Sequence, residues 1–312
     1  MVRQRSAKPS FAGSIPAVAS IPAPSNFSFE STVVSHGWYL LAPCRWSRDE
    51  QTFRRADVLG GKAVDLTITF SGSALRIAGA NDSKELRAKM SRMFQLQVET
   101  AEFVLLTRDS PSHAWVGESG FGRLLCGATL FEDVVKIITT TNTMWRQTMR
   151  MCELLCQAYG RRSPRGAAAF PESEDIARVS VDELQERCRL GYRAKSIHKL
   201  ARGIADGSLD LARITDPAQS TEALFASYRE LPGIGPYGAA HLLAMDGRHD
   251  FIAVDTEFRR FVRERYHRGR RVSDRTLLRR YAKWGRWKYL AYWSELWKTV
   301  AERLQPLERG GK

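Results

Sequence analysis

The sequence lacks long apolar runs and is poor in cysteine. No stretch of about eighteen or more apolar residues occurs, so we expect no membrane-spanning helix and no membrane partner. The five cysteines are scattered and odd in number, which favours reduced thiols over a disulfide framework. Cys152 and Cys156 lie one helical turn apart, but no second cysteine or histidine pair of suitable spacing accompanies them. We therefore expect both to pack in the core, and we expect no bound metal.

Acidic residues are scarce relative to basic ones. The chain has 34 Asp and Glu against 48 Lys and Arg, which gives a net charge of +14. This excess suits a polyanionic partner, most simply nucleic acid. It is concentrated between residues 259 and 288, where thirteen Lys or Arg stand against two acids and aromatic residues are interleaved, among them Tyr266, Tyr281, Trp284 and Trp287. A solvated arginine-rich face is the alternative interpretation, but the aromatic residues favour a nucleic-acid surface.

The chain divides into four segments by composition and pattern. Residues 1–27 are rich in Ser, Ala and Pro, which predicts a disordered tail. Residues 28–110 contain the alternating stretch "AVDLTITF" and, after a turn, "SGSALRIAG", which predict a pair of antiparallel strands. Residues 111–307 form a mainly helical domain, and residues 308–312 are expected to be a flexible end. The predicted fold class is α+β, with a small N-terminal antiparallel β subdomain followed by a mainly α-helical body.

A glycine-flanked turn in "LPGIGPYGAAHLL" is the most informative local motif. Gly233 and Gly235 allow positive φ and close approach of another backbone, and Pro236 favours the first turn of a helix. With the preceding stretch "STEALFASYREL", this pattern predicts a helix–hairpin–helix in which Ile234 packs between the helices. The unpaired amides at the helix start would bind a DNA phosphate without reading sequence. An ordinary glycine-containing helix connection is the alternative.

An isolated acid follows the hairpin in "FIAVDTEFRRF". Asp255 lies between a short apolar stretch and a predicted helix. Aspartate is common as a helix N-cap. We interpret Asp255 as an N-cap that also has a chemical role.

Together these motifs resemble the HhH–GPD superfamily of base-excision DNA glycosylases. The resemblance covers most of residues 128–300 and includes "LFEDVVKIITTTN", "LCQAYG", "LGYRAKSIHKLARGI" and "WGRWKYLAYW". Those stretches are most similar to the oxoguanine glycosylase branch. The N-terminal sheet is similar to the extra β subdomain of that branch and of the alkyl-purine branch.

The resemblance implies that Asp255 is the catalytic carboxylate. Beside the sugar C1′, a carboxylate stabilises the oxocarbenium-like transition state and orients or deprotonates the attacking water. The resemblance also implies that Asn142 enters the duplex near the estranged base; a cap of a helix starting at Thr143 is the alternative. The other residues expected near DNA are Tyr192, Arg193, Lys195 and Arg259. For Tyr192, Arg193 and Lys195, a position on a solvated helix surface is the alternative.

The sequence departs from the family pattern at Tyr237. Bifunctional members carry a nucleophilic lysine two residues after the second hairpin glycine, and tyrosine cannot form the imine with the sugar. We therefore predict a monofunctional enzyme that uses water and leaves an abasic site. Tyr237 is similar in position to a base-stacking Trp of the alkyl-purine branch, and His241 matches a position that lines the base pocket in the oxoguanine branch. Packing of the helix between its neighbours is the alternative for both residues.

The predicted function is base excision of a damaged purine from DNA. Two classes of lesion remain as candidate substrates. Tyr237 favours alkylated purines, whereas the sequence of residues 128–202 favours oxidised purines. One alternative is a bifunctional glycosylase and AP lyase whose amine comes from Lys195 or Lys199. Another is a non-catalytic DNA-binding protein, although phosphate binding alone does not need the acid at Asp255.

Cofactor, partner and location follow from the same resemblance. No cysteine follows Cys188, so the four-cysteine loop that binds a [4Fe–4S] cluster in other branches is missing, and no cluster is expected. A monovalent cation at the hairpin carbonyls stays open. The expected partner is double-stranded DNA containing a damaged base, bound by a monomer. The expected location is the cytoplasm, with the nucleoid, in a bacterium, and the nucleus or an organelle in a eukaryote.

Overall fold

The N-terminal part of the protein is a five-stranded antiparallel sheet. A computed structural model describes the backbone of residues 18–309 and the side chains of residues 18–300. The sheet has the order β1-β5-β4-β3-β2. Its strands are β1 Val18–Pro22, β2 Arg45–Ser47, β3 Thr52–Leu59, β4 Lys62–Ser71 and β5 Ala74–Ala78.

The predicted pair of strands is confirmed as β4 and β5. Thr67 pairs with Ala78, and Ile68 lies opposite Ile77. Ile68 and Ile77 are fully buried, whereas their neighbours along each strand are only partly buried or exposed. This is the pattern of a sheet with one face against a core.

The predicted disordered tail of residues 1–27 is wrong for its last part. Residues 1–17 lie outside the described residues, but Val18–Pro22 is strand β1 and pairs with β5. Ala19 and Ile21 point into the core, and this short alternation was hidden by the surrounding Ser, Ala and Pro. At the other end, residues 308 and 309 belong to the last helix rather than to a flexible end, and residues 310–312 lie outside the described residues.

The rest of the chain is mainly helical, as predicted. Short 3₁₀ segments occur at Gly37–Leu40 and Ala282–Trp287. The α-helices are α1 Phe29–Val33, α2 Lys84–Met93, α3 Ala101–Thr107, α4 Trp115–Ser119, α5 Leu130–Thr140, α6 Trp145–Tyr159, α7 Ser173–Ala177, α8 Val181–Cys188, α9 Arg193–Ala205, α10 Leu211–Ile214, α11 Thr221–Glu230, α12 Pro236–Met245, α13 Thr256–His267, α14 Asp274–Arg279 and α15 Lys288–Arg309.

One hydrophobic core runs through the sheet and the helical body. It joins Leu66 of β4 to Val134 of α5 and Leu243 of α12. Cys152 and Cys156 are buried in this core, which confirms the prediction that they pack there. The sheet is therefore a wall of the same core as the helices.

A buried ion cluster joins the sheet to α5. Arg55 of β3 donates two hydrogen bonds to Glu132, at 3.2 and 2.9 Å, and Lys136 donates a third at 2.7 Å. All three side chains are almost fully buried. Burial alone would raise the pKa of Glu132, but the charges of Arg55 and Lys136 hold it well below its usual value. Glu132 is therefore ionised and fully partnered.

The next residue, Asp133, ties two further segments to the same helical turn. Its Oδ1 accepts hydrogen bonds from the Trp38 indole at 2.9 Å and from the Gly127 amide at 2.7 Å. Its Oδ2 accepts from Arg92 of α2 at 2.6 Å. The first turn of α5 thus fixes the position of the sheet, of α2 and of the segment that carries Trp38.

Replacing Glu132 by glutamine should destabilise the fold severely. The change leaves Arg55 and Lys136 buried without a counter-charge, so we expect the free energy of unfolding to fall by about 3–5 kcal/mol in urea denaturation at neutral pH. Because the pKa of Glu132 is lowered in the fold, this contribution is complete above the unfolded-state pKa of glutamate, about 4.3. It declines as the pH falls further.

Glu153→Gln is the matched control for this prediction. Glu153 pairs with Arg150 at 2.6 Å on an exposed face of α6, where such a pair contributes about 0–1 kcal/mol. Equal losses of stability in the two variants would contradict the role assigned to the buried ion cluster.

Candidate active site

The predicted helix–hairpin–helix is present as α11, residues 231–235 and α12. Gly233 has φ +82°, a conformation that favours glycine. A Cβ on Gly233 would lie 2.8 Å from the Cβ of Ser196 and 3.3 Å from Cγ1 of Ile138. Both the backbone and the neighbouring side chains therefore require glycine at this position.

Ile234 is buried between the helices, as predicted. Its amide donates to the carbonyl of Leu231 at 3.0 Å, which closes the turn. Gly235 has an ordinary φ of −96°, and nothing lies within 4 Å of the position of its absent Cβ. Since no side chain caps α12, the amides of its first turn face this open space without a partner from the helix.

Asp255 is the N-cap of α13, as predicted from its position. Its Oδ1 accepts a hydrogen bond from the Phe258 amide at 2.7 Å. Ile252 and Ala253, just before it, are buried, so the carboxylate emerges at the edge of the core and is itself half-buried. Burial raises the pKa of Asp255, although the hydrogen bond from Phe258 opposes the shift. The result is a carboxylate that holds a helix end and is poorly solvated.

Tyr237 and His241 lie one turn apart on α12, and Tyr237 is close enough to Asp255 to sense its charge. Their ring centroids are 5.9 Å apart. Burial, with the charge of Asp255 as a second cause, raises the pKa of Tyr237 to about 12. The Tyr237 side chain also forms a hydrogen bond with the side chain of Thr140, the last residue of α5. Tyr237 therefore connects the hairpin helix, α5 and Asp255.

His241 lies within a group of rings that we call the aromatic cluster. Its centroid is 5.6–6.2 Å from the rings of four residues outside α12, and its Nδ1 is 3.2 Å from the Tyr289 hydroxyl. The members of the cluster are His36, Trp38, Tyr237, His241, Tyr289 and Trp293. Burial lowers the pKa of His241 to about 4 and is the main reason that the pKa of His36 falls to about 3, so both imidazoles are neutral at physiological pH.

One polar atom in the aromatic cluster has no partner. The Nε2 of His241 is buried and makes no hydrogen bond within the part of the chain that the structure describes. A buried polar atom without a partner is costly, so it marks a position at which a ligand atom would be stabilising.

Four members of the aromatic cluster were missed in the sequence. Tyr289 and Trp293 stand four residues apart on α15, in the stretch "KYLAYW", and this spacing was the signal available for them. His36 and Trp38 gave no local signal. They reach the cluster because Asp133 holds the indole of Trp38.

The loop between α5 and α6 lies beside Tyr192. Asn142 is exposed, has φ +46°, and donates from Nδ2 to the Tyr192 hydroxyl at 3.3 Å. The alternative prediction that Asn142 caps a helix starting at Thr143 is wrong, because α6 begins at Trp145 with Met144 as its N-cap. Met144 and Tyr192 are 69% and 59% exposed, unusual values for large apolar or aromatic side chains.

The basic residues expected near DNA differ in their surroundings. Arg193 is buried, and its guanidinium donates to the carbonyls of Thr141 and Asn142, so it supports the loop from behind rather than presenting charge to solvent. Lys195 is exposed on α9. Arg259 forms an ion pair with Asp274 at 2.8 Å. Direct contact of Lys195 and Arg259 with DNA stays a prediction.

Candidate metal sites and membrane-spanning helices are absent from the residues that the structure describes. Within residues 18–300, no group of three or more His, Cys, Asp or Glu could hold a metal ion. None of the helices that the structure describes is long and apolar enough to cross a membrane. A cavity of about 470 Å³ lies beside the buried ion cluster, lined by Arg55 and Glu132 among others, and neither Asp255 nor Tyr237 lines it.

The helical body contains a domain that matches a known protein family. Residues 135–286, just under half of the chain, match the family model of "HhH-GPD superfamily base excision DNA repair protein". The chain therefore carries an HhH-GPD domain, and the predicted superfamily is confirmed. No curated protein sequence matches the chain.

Solved structures of DNA glycosylases share the fold over nearly the whole chain. MBOgg1 in complex with a low-affinity DNA ligand is similar at 18% identity and a TM-score of 0.72, covering 93% of this chain and 98% of that one. An 8-oxoguanine glycosylase/lyase of Clostridium acetobutylicum bound to double-stranded DNA is similar at 20% identity and 0.69, covering 89% and 93%. A 3-methyladenine DNA-glycosylase of Archaeoglobus fulgidus is similar at 19% identity and 0.72, covering 89% and 98%.

Alanine at the two hairpin glycines should separate folding from binding. Gly233→Ala forces a positive φ and a clash with Ser196, so we expect it to cost about 1–3 kcal/mol of stability in urea denaturation. Gly235→Ala fits the backbone, so its loss should stay below about 1 kcal/mol. Its new methyl group enters the open space before the α12 amides, and fluorescence anisotropy should therefore show weaker binding to duplex DNA. Wild-type affinity in Gly235→Ala would contradict the hairpin as a phosphate site.

Proposed function

We propose that this protein is a monofunctional DNA glycosylase that hydrolyses the N-glycosidic bond of a damaged purine. The observation that carries the proposal is the half-buried carboxylate of Asp255 beside Tyr237, with an aromatic residue where a lyase would need an amine. Membership of the HhH-GPD superfamily supports base excision as the general activity.

Asp255 would act on the sugar of a flipped nucleotide. As the bond between C1′ and the base nitrogen breaks, its electron pair leaves with the base and positive charge develops on the sugar. A carboxylate in a poorly solvated position stabilises that charge more strongly than one in water. Water then adds to C1′, and Asp255 orients it or accepts its proton. The products are the free base and an abasic site, and the reaction uses no cofactor.

The aromatic cluster supports alkylated purines as the substrate class. Alkylation of a purine ring nitrogen leaves a cationic base, and ring faces attract cations by roughly 0.5–2 kcal/mol. Tyr237 and the two neutral histidines add no positive charge that would repel such a base. The unpartnered Nε2 of His241 offers one hydrogen-bonding position for its edge. An oxidised purine is the competing substrate in the test below.

The exposed loop between α5 and α6 supports base flipping. Flipping leaves a gap in the base stack, and proteins commonly fill such gaps with apolar or aromatic side chains. Met144 and Tyr192 are exposed beside Asn142, which can donate a hydrogen bond to the estranged base. Because Arg193 holds the carbonyls of the loop, these side chains are presented in a fixed position.

Asp255→Asn should abolish base release without unfolding the protein. Asparagine is as good an N-cap as aspartate, so thermal stability should be retained while the negative charge beside C1′ is lost. We would measure base release from duplexes that each contain 3-methyladenine mimic, 1,N6-ethenoadenine, hypoxanthine, 8-oxoguanine or uracil, and score strand cleavage with and without alkali. Asp210→Asn, at the N-cap of α10, is the matched control and should remain fully active.

Each alternative function has a distinct outcome in this assay. Strand cleavage without alkali, together with a covalent adduct after borohydride treatment, would overturn the monofunctional assignment and point to Lys195 or Lys199 as the amine. Binding without base release on every duplex would overturn the catalytic assignment. Release that persists in Asp255→Asn would remove Asp255 from the mechanism.

The rate of base release should fall in acid at a higher pH than an ordinary aspartate would give. The ionised carboxylate is the active form, and burial raises the pKa of Asp255, so the activity is complete above that raised pKa and is lost as the pH falls through it. Single-turnover rates measured against pH would show the acidic limb. A limb at or below the ordinary aspartate pKa of about 3.9 would contradict the prediction.

A further inference from the structure

An exposed row of arginines follows α13 and is not used by the proposed chemistry. We call it the arginine ridge. Its members are exposed, and none of them forms an ion pair within the part of the chain that the structure describes. The ridge consists of Arg268, Arg270, Arg271, Arg275 and Arg279.

The acids of this region are already engaged elsewhere. Glu257 and Glu264 both pair with Arg260, and Asp274 pairs with Arg259. A solvated basic face usually has charges of both signs, but here no acid is left to neutralise the ridge. Its outward charge is therefore of a single sign.

The chain folds back so that the ridge runs towards the active site. After the left-handed turn at Arg268, the Gly269 amide donates to the Arg263 carbonyl at 3.0 Å, and Arg263 in turn donates to the Val272 carbonyl at 3.3 Å. The ion pair between Arg259 and Asp274 then places the start of α14 beside the first turn of α13, one turn from Asp255. The ridge thus spans the length of α13, about 18 Å for its twelve residues.

The support beneath the ridge is rigid. Glu295 is buried and accepts hydrogen bonds from the Tyr266 hydroxyl at 2.6 Å and from the Tyr281 hydroxyl at 2.8 Å. These two tyrosines lie on either side of the ridge in the chain, so α15 fixes both of its ends. An array of free charges on a fixed support loses little conformational freedom of its backbone on binding.

We propose that the arginine ridge binds the phosphate backbone of the DNA flank on one side of the lesion, beyond the contacts of the hairpin. A span of about 18 Å corresponds to roughly five phosphates along one strand. Because the ridge would contact phosphates, it supplies affinity that does not depend on sequence and takes no part in base recognition. This inference rests on the proposed function, because it takes duplex DNA as the ligand. The ridge extends to near Asp255, which favours DNA over an acidic protein as its partner.

The test removes three charges and compares long with short duplexes. The variant is Arg268→Gln/Arg270→Gln/Arg271→Gln. Its matched control is Lys62→Gln/Arg76→Gln/Arg165→Gln, which removes the same charge from exposed residues of β4, β5 and the loop between α6 and α7. Affinity for an abasic-site duplex is measured by anisotropy between about 50 and 200 mM salt, a range over which phosphate contacts make the affinity fall steeply. The duplex has either two long arms or one arm truncated, first on one side and then on the other.

The ridge predicts a loss confined to one flank. On long duplexes the variant should bind about tenfold or more weakly, and its salt slope should fall by about 0.9 for each lost contact. Truncating one particular arm of the duplex should lower the DNA affinity of the wild type and of the control. The affinity of the variant should not change. The single-turnover rate of base release at saturating enzyme should be the same in all three proteins. A lysine triple, Arg268→Lys/Arg270→Lys/Arg271→Lys, should retain the wild-type salt slope.

The outcomes separate failure of the ridge from failure of the proposed function. If the variant binds like the control, or loses affinity equally for long and truncated duplexes, the ridge does not contact the flank, whatever the activity. If the wild type releases no base from any duplex but the variant still shows the flank-specific loss, the glycosylase proposal fails and the ridge stands as a DNA surface. Comparison of melting temperatures with the lysine triple detects a folding defect.

Discussion

The carboxylates of Glu132 and Asp133, buried at the first turn of α5, are the constraint on which the arrangement of this protein depends. Glu132 holds β3 through Arg55, while Asp133 holds α2 through Arg92 and the segment between β1 and β2 through Trp38. Such groups are stable in a core only when every oxygen is partnered, so the segments around them have little freedom to shift. The other end of α5 carries Thr140, which contacts Tyr237. The sheet and the candidate site are thereby joined by one helix.

The elements that could be predicted from sequence are those with a local signal. The alternation of β4, the glycines around Ile234 and the N-cap position of Asp255 each depend on residues within a few positions of one another. Strand β1 could not be separated from a low-complexity tail because only two of its residues face the core. The aromatic cluster could not be predicted because its rings come from distant segments and meet only through tertiary contacts. The burial of Arg193 could not be predicted for the same reason, since exposure depends on tertiary contacts.

The two hairpin glycines and Asp255 are under different structural constraints. Gly233 is fixed by its backbone angle and by Ser196, whereas Gly235 is free of both constraints and leaves space in front of the α12 amides. Asp255 caps α13 by accepting a hydrogen bond from the Phe258 amide, while burial disfavours its negative charge. A neutral cap such as asparagine would serve the helix equally well, so the buried charge is a cost to stability that the proposed catalytic role would explain.

The lowered pKa values of His36 and His241 also determine the thermodynamics of the aromatic cluster. Since burial brings both values to about 3 and 4, neither imidazole changes protonation between pH 6 and 8, a window roughly centred on neutrality. A base that enters the cluster therefore exchanges no protons with these histidines. Under the proposed function, the contribution of these two histidines to the binding of a base would then be independent of pH across this window.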